Sequence, residues 1–252
     1  MNTTPRGSII LPSYMSGSYY ETHADPDQDS PFKVKALMDL LAPVAADRAI
    51  CINSFADVGC GGGGAAQQIT RELRAAGHPV TRAAGYDIAP HIRTLQHPDV
   101  NYYMEDFCAC DDHYSLVTLF DVIEHVPNPV GFLRDVAERA DFVALHIPLD
   151  NRLVNTIFDR FHHRLRYPGH VTIFDTVSAI NMVTQSGITP LDYSYTHGYA
   201  APSGTMSAAQ RIAYPFRYAV SHLSPWLASR TVGGVSLMVI GATRTGLQQM
   251  TF

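Results

Sequence analysis

The residues best equipped for chemistry in this 252-residue sequence fall into two groups. One is acidic and rich in glycine: Phe55-Ala56-Asp57-Val58-Gly59-Cys60-Gly61-Gly62-Gly63-Gly64, then Gly85-Tyr86-Asp87-Ile88, then Met104-Glu105-Asp106-Phe107. The other is built around histidines: Asp121-Val122-Ile123-Glu124-His125, His146 and His170. A strand that runs into glycines and then a helix lets backbone N–H groups approach a ligand at the helix N-terminus. Gly59, Gly61 and Gly64 satisfy G-x-G-x-x-G, so spacing alone leaves a nicotinamide cofactor open. Asp57 shifts the balance. A carboxylate two residues before the first glycine suits a ligand carrying an ammonium and a sulfonium, and it repels a pyrophosphate. Asp87, with Ile88 beside it, ends the next strand, where an acid can accept from ribose hydroxyls. Asp106 beside Phe107 offers an acceptor for an adenine amino group and a ring to cover it.

These groups must be positioned by an alternation of strands and helices. Ser30 before Pro31 reads as a helix cap, and Phe32, Val34, Leu37, Leu40 and Leu41 recur at helical spacing over Pro31–Leu41. Strands are expected over Ser54–Val58, Ala83–Ile88, Val100–Met104, Leu116–Phe120 and Asp141–Ile147. Between them lie helices through Ile69 and Leu73, stopping at Gly77, and over Pro129–Ala140. Repeated alternation with apolar strands implies an α/β fold, a largely parallel sheet covered on both faces. Its ligands belong beyond the carboxyl ends of the strands. In the tail, a helix near Thr176–Gln185, a strand near Leu191–Tyr195 and a last strand over Val235–Thr243 accompany helical stretches at about 150–170 and 203–230, which read as a lid.

In these motifs the chain resembles the class I S-adenosylmethionine-dependent methyltransferases. Asp57-Val58-Gly59-Cys60-Gly61 is similar to their first motif, Asp87 to their ribose acid, and Asp106 with Phe107 to their adenine contacts. Phe120-Asp121-Val122-Ile123-Glu124-His125-Val126 resembles the segment after the fourth strand in the subgroup that includes ubiquinone-biosynthesis O-methyltransferases. The resemblance runs from about Pro31 to Ile147. It implies a Rossmann-like, seven-stranded, mostly parallel sheet whose last strand is antiparallel, with S-adenosylmethionine as cofactor. The residues expected around that cofactor are Tyr20, Asp57, Gly59, Cys60, Gly61, Asp87, Ile88, Asp106, Phe107 and Asp121. Tyr19 and Tyr20 belong to an N-terminal arm, residues 1–30, expected to close over the site; residues 31–252 would form the methyltransferase domain.

Methyl transfer from a sulfonium is an in-line displacement on a carbon the cofactor has already activated, so orientation dominates and a base is needed only for a protonated acceptor. His125 is the first candidate base, because imidazole titrates near neutrality and its loop borders the methyl position; an orienting role suits it equally. His146 and His170 are further candidates, or polar walls of the pocket. Asp121, Glu124 and His125 have i, i+3, i+4 spacing, and the resemblance implies that such a set can hold a divalent metal. Here Asp stands where those relatives have Glu. Cys108-Ala109-Cys110 with Asp111, Asp112 and His113 lacks the second cysteine pair of a zinc site and reads as a loop.

Composition bounds the partners. Apolar residues make up 46% and charged residues 16%, which favours one compact domain over disorder. A net charge of -5 without a basic run disfavours nucleic acid and polybasic membrane binding. Four scattered cysteines make no disulfide framework, and no signal or membrane span is expected, so the cytoplasm is the simplest home. The expected activity is methylation of a small molecule, most readily at oxygen, by a monomer or homodimer. The alternatives are an NAD(P)-dependent oxidoreductase and a non-catalytic subunit that binds S-adenosylmethionine. Aromatic residues in the tail, among them Phe158, Phe161, Tyr193, Phe216 and Trp226, would pack the lid helices or line an acceptor pocket. Arg152, Arg160, Arg164 and Arg166 would be solvated helix faces or would meet a substrate carboxylate or phosphate.

Overall fold

The computed structural model describes residues 27–166, 169–198 and 208–250. Seven strands form one sheet: β1 Ser54–Val58, β2 Arg82–Asp87, β3 Asn101–Met104, β4 Tyr114–Phe120, β5 Ala140–Pro148, β6 Thr189–His197 and β7 Val235–Ala242. Their order is β3-β2-β1-β4-β5-β7-β6, with β7 antiparallel to both neighbours and β1 to β5 mutually parallel. The expected α/β sheet, with its single antiparallel intruder, is therefore present. Helices α1 Ser30–Arg48 and α2 Gly64–Ala75 cover one face; α3 Pro129–Ala137 and α6 Thr176–Gln185 cover the other. Between α3 and α6 come the short α4 Leu153–Ile157 and α5 Phe161–Arg166. After β6 follow α7 Ala208–Leu223 and α8 Pro225–Arg230, and α9 Arg244–Gln249 succeeds β7.

The two faces follow from the period of two along a strand. Phe55 and Leu116 point to the α1/α2 side, whereas Ala56, Val58, Val117 and Leu119 point to the α3/α6 side. All are buried, as befits a sheet with no wet face. Helix α1 departs from the expected span. It runs on past Leu41 through Pro43, because Val44 and Ala45 still bury against the sheet. Its N-cap is Asp29 and not Ser30. Ser30 is buried and leans on Asp27, while the Asp29 carboxylate is drawn to Lys33 Nζ at 2.8 Å.

Three aromatic residues of the tail helices stay outside the core. Phe158, Phe216 and Trp226 are each more than half exposed. No helix among the described residues is long and apolar enough to cross a membrane.

Candidate active site

The glycine loop leaves β1 at Val58 and enters α2 at Gly64, with Gly59, Gly61 and Gly63 all at positive φ. Gly63 shows why: besides φ 84°, a Cβ there would meet the Tyr102 hydroxyl at 2.6 Å. Tyr102 braces the loop from β3, donating to the Gly63 carbonyl and accepting from Gln67. The amides of Gly59, Cys60, Gly61 and Gly63 are used internally. Those of Gly59 and Cys60 both go to the Tyr86 carbonyl, and that of Gly61 to Asp87 Oδ2 at 3.1 Å. These four amides are therefore turned to the protein and not to a ligand. The Cys60 side chain is likewise buried. His91, not singled out in the sequence, closes the loop through its Nε2 and the Gly61 carbonyl, 2.6 Å apart.

Asp57 and Asp87 sit side by side at the rim. Asp57 is 2% exposed and accepts from Thr118 at 2.5 Å. Burial, with the charges of Asp27 and Asp87 adding to it, lifts its pKa to about 7 against the help of Thr118 and Lys33. Asp87 accepts from the amides of Ala89 and Gly61, and burial raises its pKa in spite of both. Ile88 is half-buried next to it. Asp27 is a third carboxylate that sequence reasoning missed; it packs against Gly64 at the start of α2.

Asp106 accepts from Cys108 N and caps the turn Phe107–Ala109. Phe107 is a correction. Its ring is 1% exposed and lies edge-on to Tyr86, with centroids 5.1 Å apart, so it is core and cannot cover an adenine. Tyr20 lies outside the described residues.

The histidine group divides. Asp121 has φ 55°, in the left-handed region where Asp is among the more tolerated residues. That turn sends its carboxylate to Lys33 Nζ on α1 and His146 Nδ1 on β5, each at 2.6 Å. Burial opposes both charges, yet the pairing holds the carboxyl of Asp121 well below the usual range and the ammonium of Lys33 above its own. The second nitrogen of His146 meets Thr196 Oγ1 at 2.8 Å, so neither ring nitrogen of this buried histidine is spare. A metal set of Asp121, Glu124 and His125 is therefore corrected: Asp121 faces away.

Instead, Glu124, His125 and His170 bring one ligand atom each within 4.8 Å of one another. Glu124 is 1% exposed, and neither carboxyl oxygen has a hydrogen-bond partner. Burial, reinforced by Asp121, raises its pKa well above normal. His125 Nδ1 lies 3.0 Å from the Gly169 carbonyl, which fixes that nitrogen as donor and leaves Nε2 with its lone pair. Burial and the neighbouring His170 lower the pKa of His125 to about 4. His170 Nδ1 donates to Asp150 Oδ2 at 2.8 Å, and its Nε2 stands 3.8 Å from Glu124 Oε1. Cys108 and Cys110 are free thiols and belong to no metal-sized group among the described residues.

A parallel sheet with an antiparallel β7 between β5 and β6, a glycine loop after β1 and acids at successive strand ends together define the class I S-adenosylmethionine-binding methyltransferase fold. Residues 33–192 match the family described as a methyltransferase domain, and the chain belongs to that family. Among solved structures it is similar to magnesium protoporphyrin IX methyltransferase from Synechocystis PCC 6803 with bound S-adenosylhomocysteine (12% identity, TM-score 0.54, covering 92% of this chain and 96% of that one). It is also similar to the N-methyltransferase NodS from Bradyrhizobium japonicum WM9 with the same ligand (12%, 0.55, 92% and 99%). A third is the [4+2]-cyclase SpnF (12%, 0.51, 81% and 79%). At such identities the likeness is one of fold. No curated protein sequence matches the chain.

Proposed function

We propose that this chain transfers a methyl group from S-adenosylmethionine to an oxygen of a small molecule by in-line displacement. The observation that carries the reading is the pair of buried carboxylates, Asp57 and Asp87, flanking a loop in which the amides of Gly59, Cys60 and Gly61 already bond within the protein. Such a rim favours a ligand that donates hydrogen bonds and carries positive charge, as the ammonium, sulfonium and ribose hydroxyls of this cofactor do. A dinucleotide pyrophosphate would want the opposite, and the methyltransferase family match points the same way. Asp57, Gly59 and Gly61 would border the methionine portion, Asp87 and Ile88 the ribose, and Asp106 the adenine. Residues 1–30 would close over it as an arm, and the helices of 150–170 and 203–230 would cover the acceptor.

On the acceptor side, Glu124, His125 and His170 form the reacting wall. His125, neutral and with Nε2 as its acceptor nitrogen, is the group to receive the acceptor's proton. The Phe120–Val126 segment is what favours oxygen, as in the ubiquinone-biosynthesis subgroup it resembles. His125→Ala should bind S-adenosylhomocysteine normally and lose at least about tenfold in turnover; unchanged turnover would remove His125 from the chemistry. The reading as a whole is tested by calorimetry with S-adenosylhomocysteine and NAD. Binding of the first alone is expected, and binding of NAD alone would overturn it. The similarity to a cyclase shows that this fold also serves other chemistry, so a non-catalytic or non-transferring role would be revealed by cofactor binding with no methylated product.

One observation favours a second reading of the same wall. Two imidazole Nε2 atoms and an unpartnered buried carboxylate fit a divalent cation, with Asp150 orienting His170 from behind. A cation held there would polarise the acceptor oxygen. Chelation followed by add-back of Mg²⁺, Mn²⁺ or Zn²⁺ should then abolish and restore turnover; full activity in chelator would exclude it.

A further inference from the structure

Next to this wall lies a concentration of positive charge that the fold leaves without adequate partners. Arg152 is 8% exposed, and its Nε has no hydrogen-bond partner. Its Nη2 lies 3.5 Å from Asp150 Oδ1, and Arg164 Nε approaches the same oxygen, also at 3.5 Å. Both separations exceed the roughly 2.7–2.9 Å of a charge-assisted bond. The other oxygen of Asp150 is already given to His170. Arg217, from α7, and Arg160 complete the group. Besides burial, their charges and that of Arg164 lower the pKa of Arg152 to about 10. Among the described residues, the only ion pairs these four arginines make are with Asp150.

The backbone is shaped to admit the cluster. Gly233, at φ 70°, lets the Arg152 guanidinium lie across it, and any side chain there would overlap that group. Solvated helix faces would explain the exposed Arg160 but not a buried Arg152. Burying like charges with one shared carboxylate is unfavourable unless a further anion completes the set. Guanidinium groups match carboxylate and phosphate oxygens in pairs.

Resting on the methyltransferase reading, we propose that the methyl acceptor carries an oxyanion, a carboxylate or a phosphate, and that Arg152, Arg160, Arg164 and Arg217 hold it on the far side of Asp150 from His170 and Glu124. The site thus selects an acidic acceptor and sets how far its nucleophilic oxygen lies from the anchored group.

The test uses the full chain, with and without S-adenosylhomocysteine, titrated at low ionic strength with benzoate, phenyl phosphate and, as the neutral control, phenol. At least one anion should bind tenfold or more tightly than phenol, and the preference between the two identifies the oxyanion. Arg217→Ala, half-buried and away from the sheet, should weaken that anion at least fivefold and leave S-adenosylhomocysteine affinity unchanged. Arg152→Gln should weaken it further if the variant folds. Anions bound no better than phenol, or equally well by Arg217→Ala, would overturn the inference while leaving the methyltransferase reading intact. Failure of S-adenosylhomocysteine itself to bind would overturn that reading, and this inference with it.

Discussion

At the scale of single residues, Asp57 carries an unusual electrostatic load. It is buried, feels the negative charges of Asp27 and Asp87, and is relieved by Thr118 and Lys33. A carboxyl with a pKa of about 7 ionises readily once a cationic ligand arrives, so binding and deprotonation are linked. The sign follows. The cofactor favours the charged form, so affinity should rise with pH up to about 7 and level off above it, falling roughly tenfold per unit below. Asp57→Asn retains the shape but cannot ionise. Calorimetry between pH 5.5 and 8.5 should show a flat profile for the variant and, at pH 8, affinity lower by roughly tenfold or more. A wild-type profile without slope would mean that Asp57 does not face the cofactor. Phe107 calls for the opposite outcome. Because its ring packs on Tyr86, Phe107→Ala should cost about 3–5 kcal/mol of stability in urea unfolding while the folded variant keeps its cofactor affinity. A selective loss of affinity would restore it to the binding site.

At the scale of elements, α1 is joined to the sheet by more than its apolar face. Lys33 reaches Asp121 after β4, His146 on β5 reaches the same carboxylate, and Thr196 on β6 closes the series. Three strand ends and one helix are thereby pinned at the rim that carries Glu124 and His125. Removing the cation leaves a carboxylate with one partner fewer in a poorly solvated place. Lys33→Met is expected to lower stability by about 1–3 kcal/mol at neutral pH. Because the folded pKa of Asp121 is depressed, its contribution is present above the unfolded value near 4 and disappears as pH falls through the folded one. The difference between wild type and Lys33→Met should therefore shrink in acid. A difference under about 0.5 kcal/mol at pH 7 would show that the pairing is incidental.

At the scale of the whole molecule, the sheet divides the work. The ends of β1, β2 and β3 hold the acids suited to a nucleoside, and the ends of β4 and β5 hold the histidines and, past Asp150, the arginines. On the proposed reading the methyl group would pass between them, which would require the two halves to be held in one rigid frame. The proposed arm, residues 1–30, would shut this frame from the N-terminal side. Asp27, the first described residue, already lies against the start of α2. Deleting residues 1–24 should weaken cofactor binding, measured by titration with S-adenosylhomocysteine; equal affinity would refute the arm.

What the sequence determined by itself was whatever local period and composition encode. Strand positions came out within one or two residues, since a buried strand is a short apolar run between turn signals, and the glycine loop announces itself by the φ values only glycine takes cheaply. The acids at strand ends were legible for the same reason: each sits next to its strand. Tertiary structure alone decided where side chains turn once they leave those ends. Asp121 stands three and four residues from Glu124 and His125, yet a left-handed backbone step hands it to Lys33 and to His146, 25 positions away. His170 joins Glu124, Phe107 folds inward, and Arg152 is buried among other arginines through contacts remote in sequence. Pairings of that kind depend on how layers pack, and no local periodicity records them.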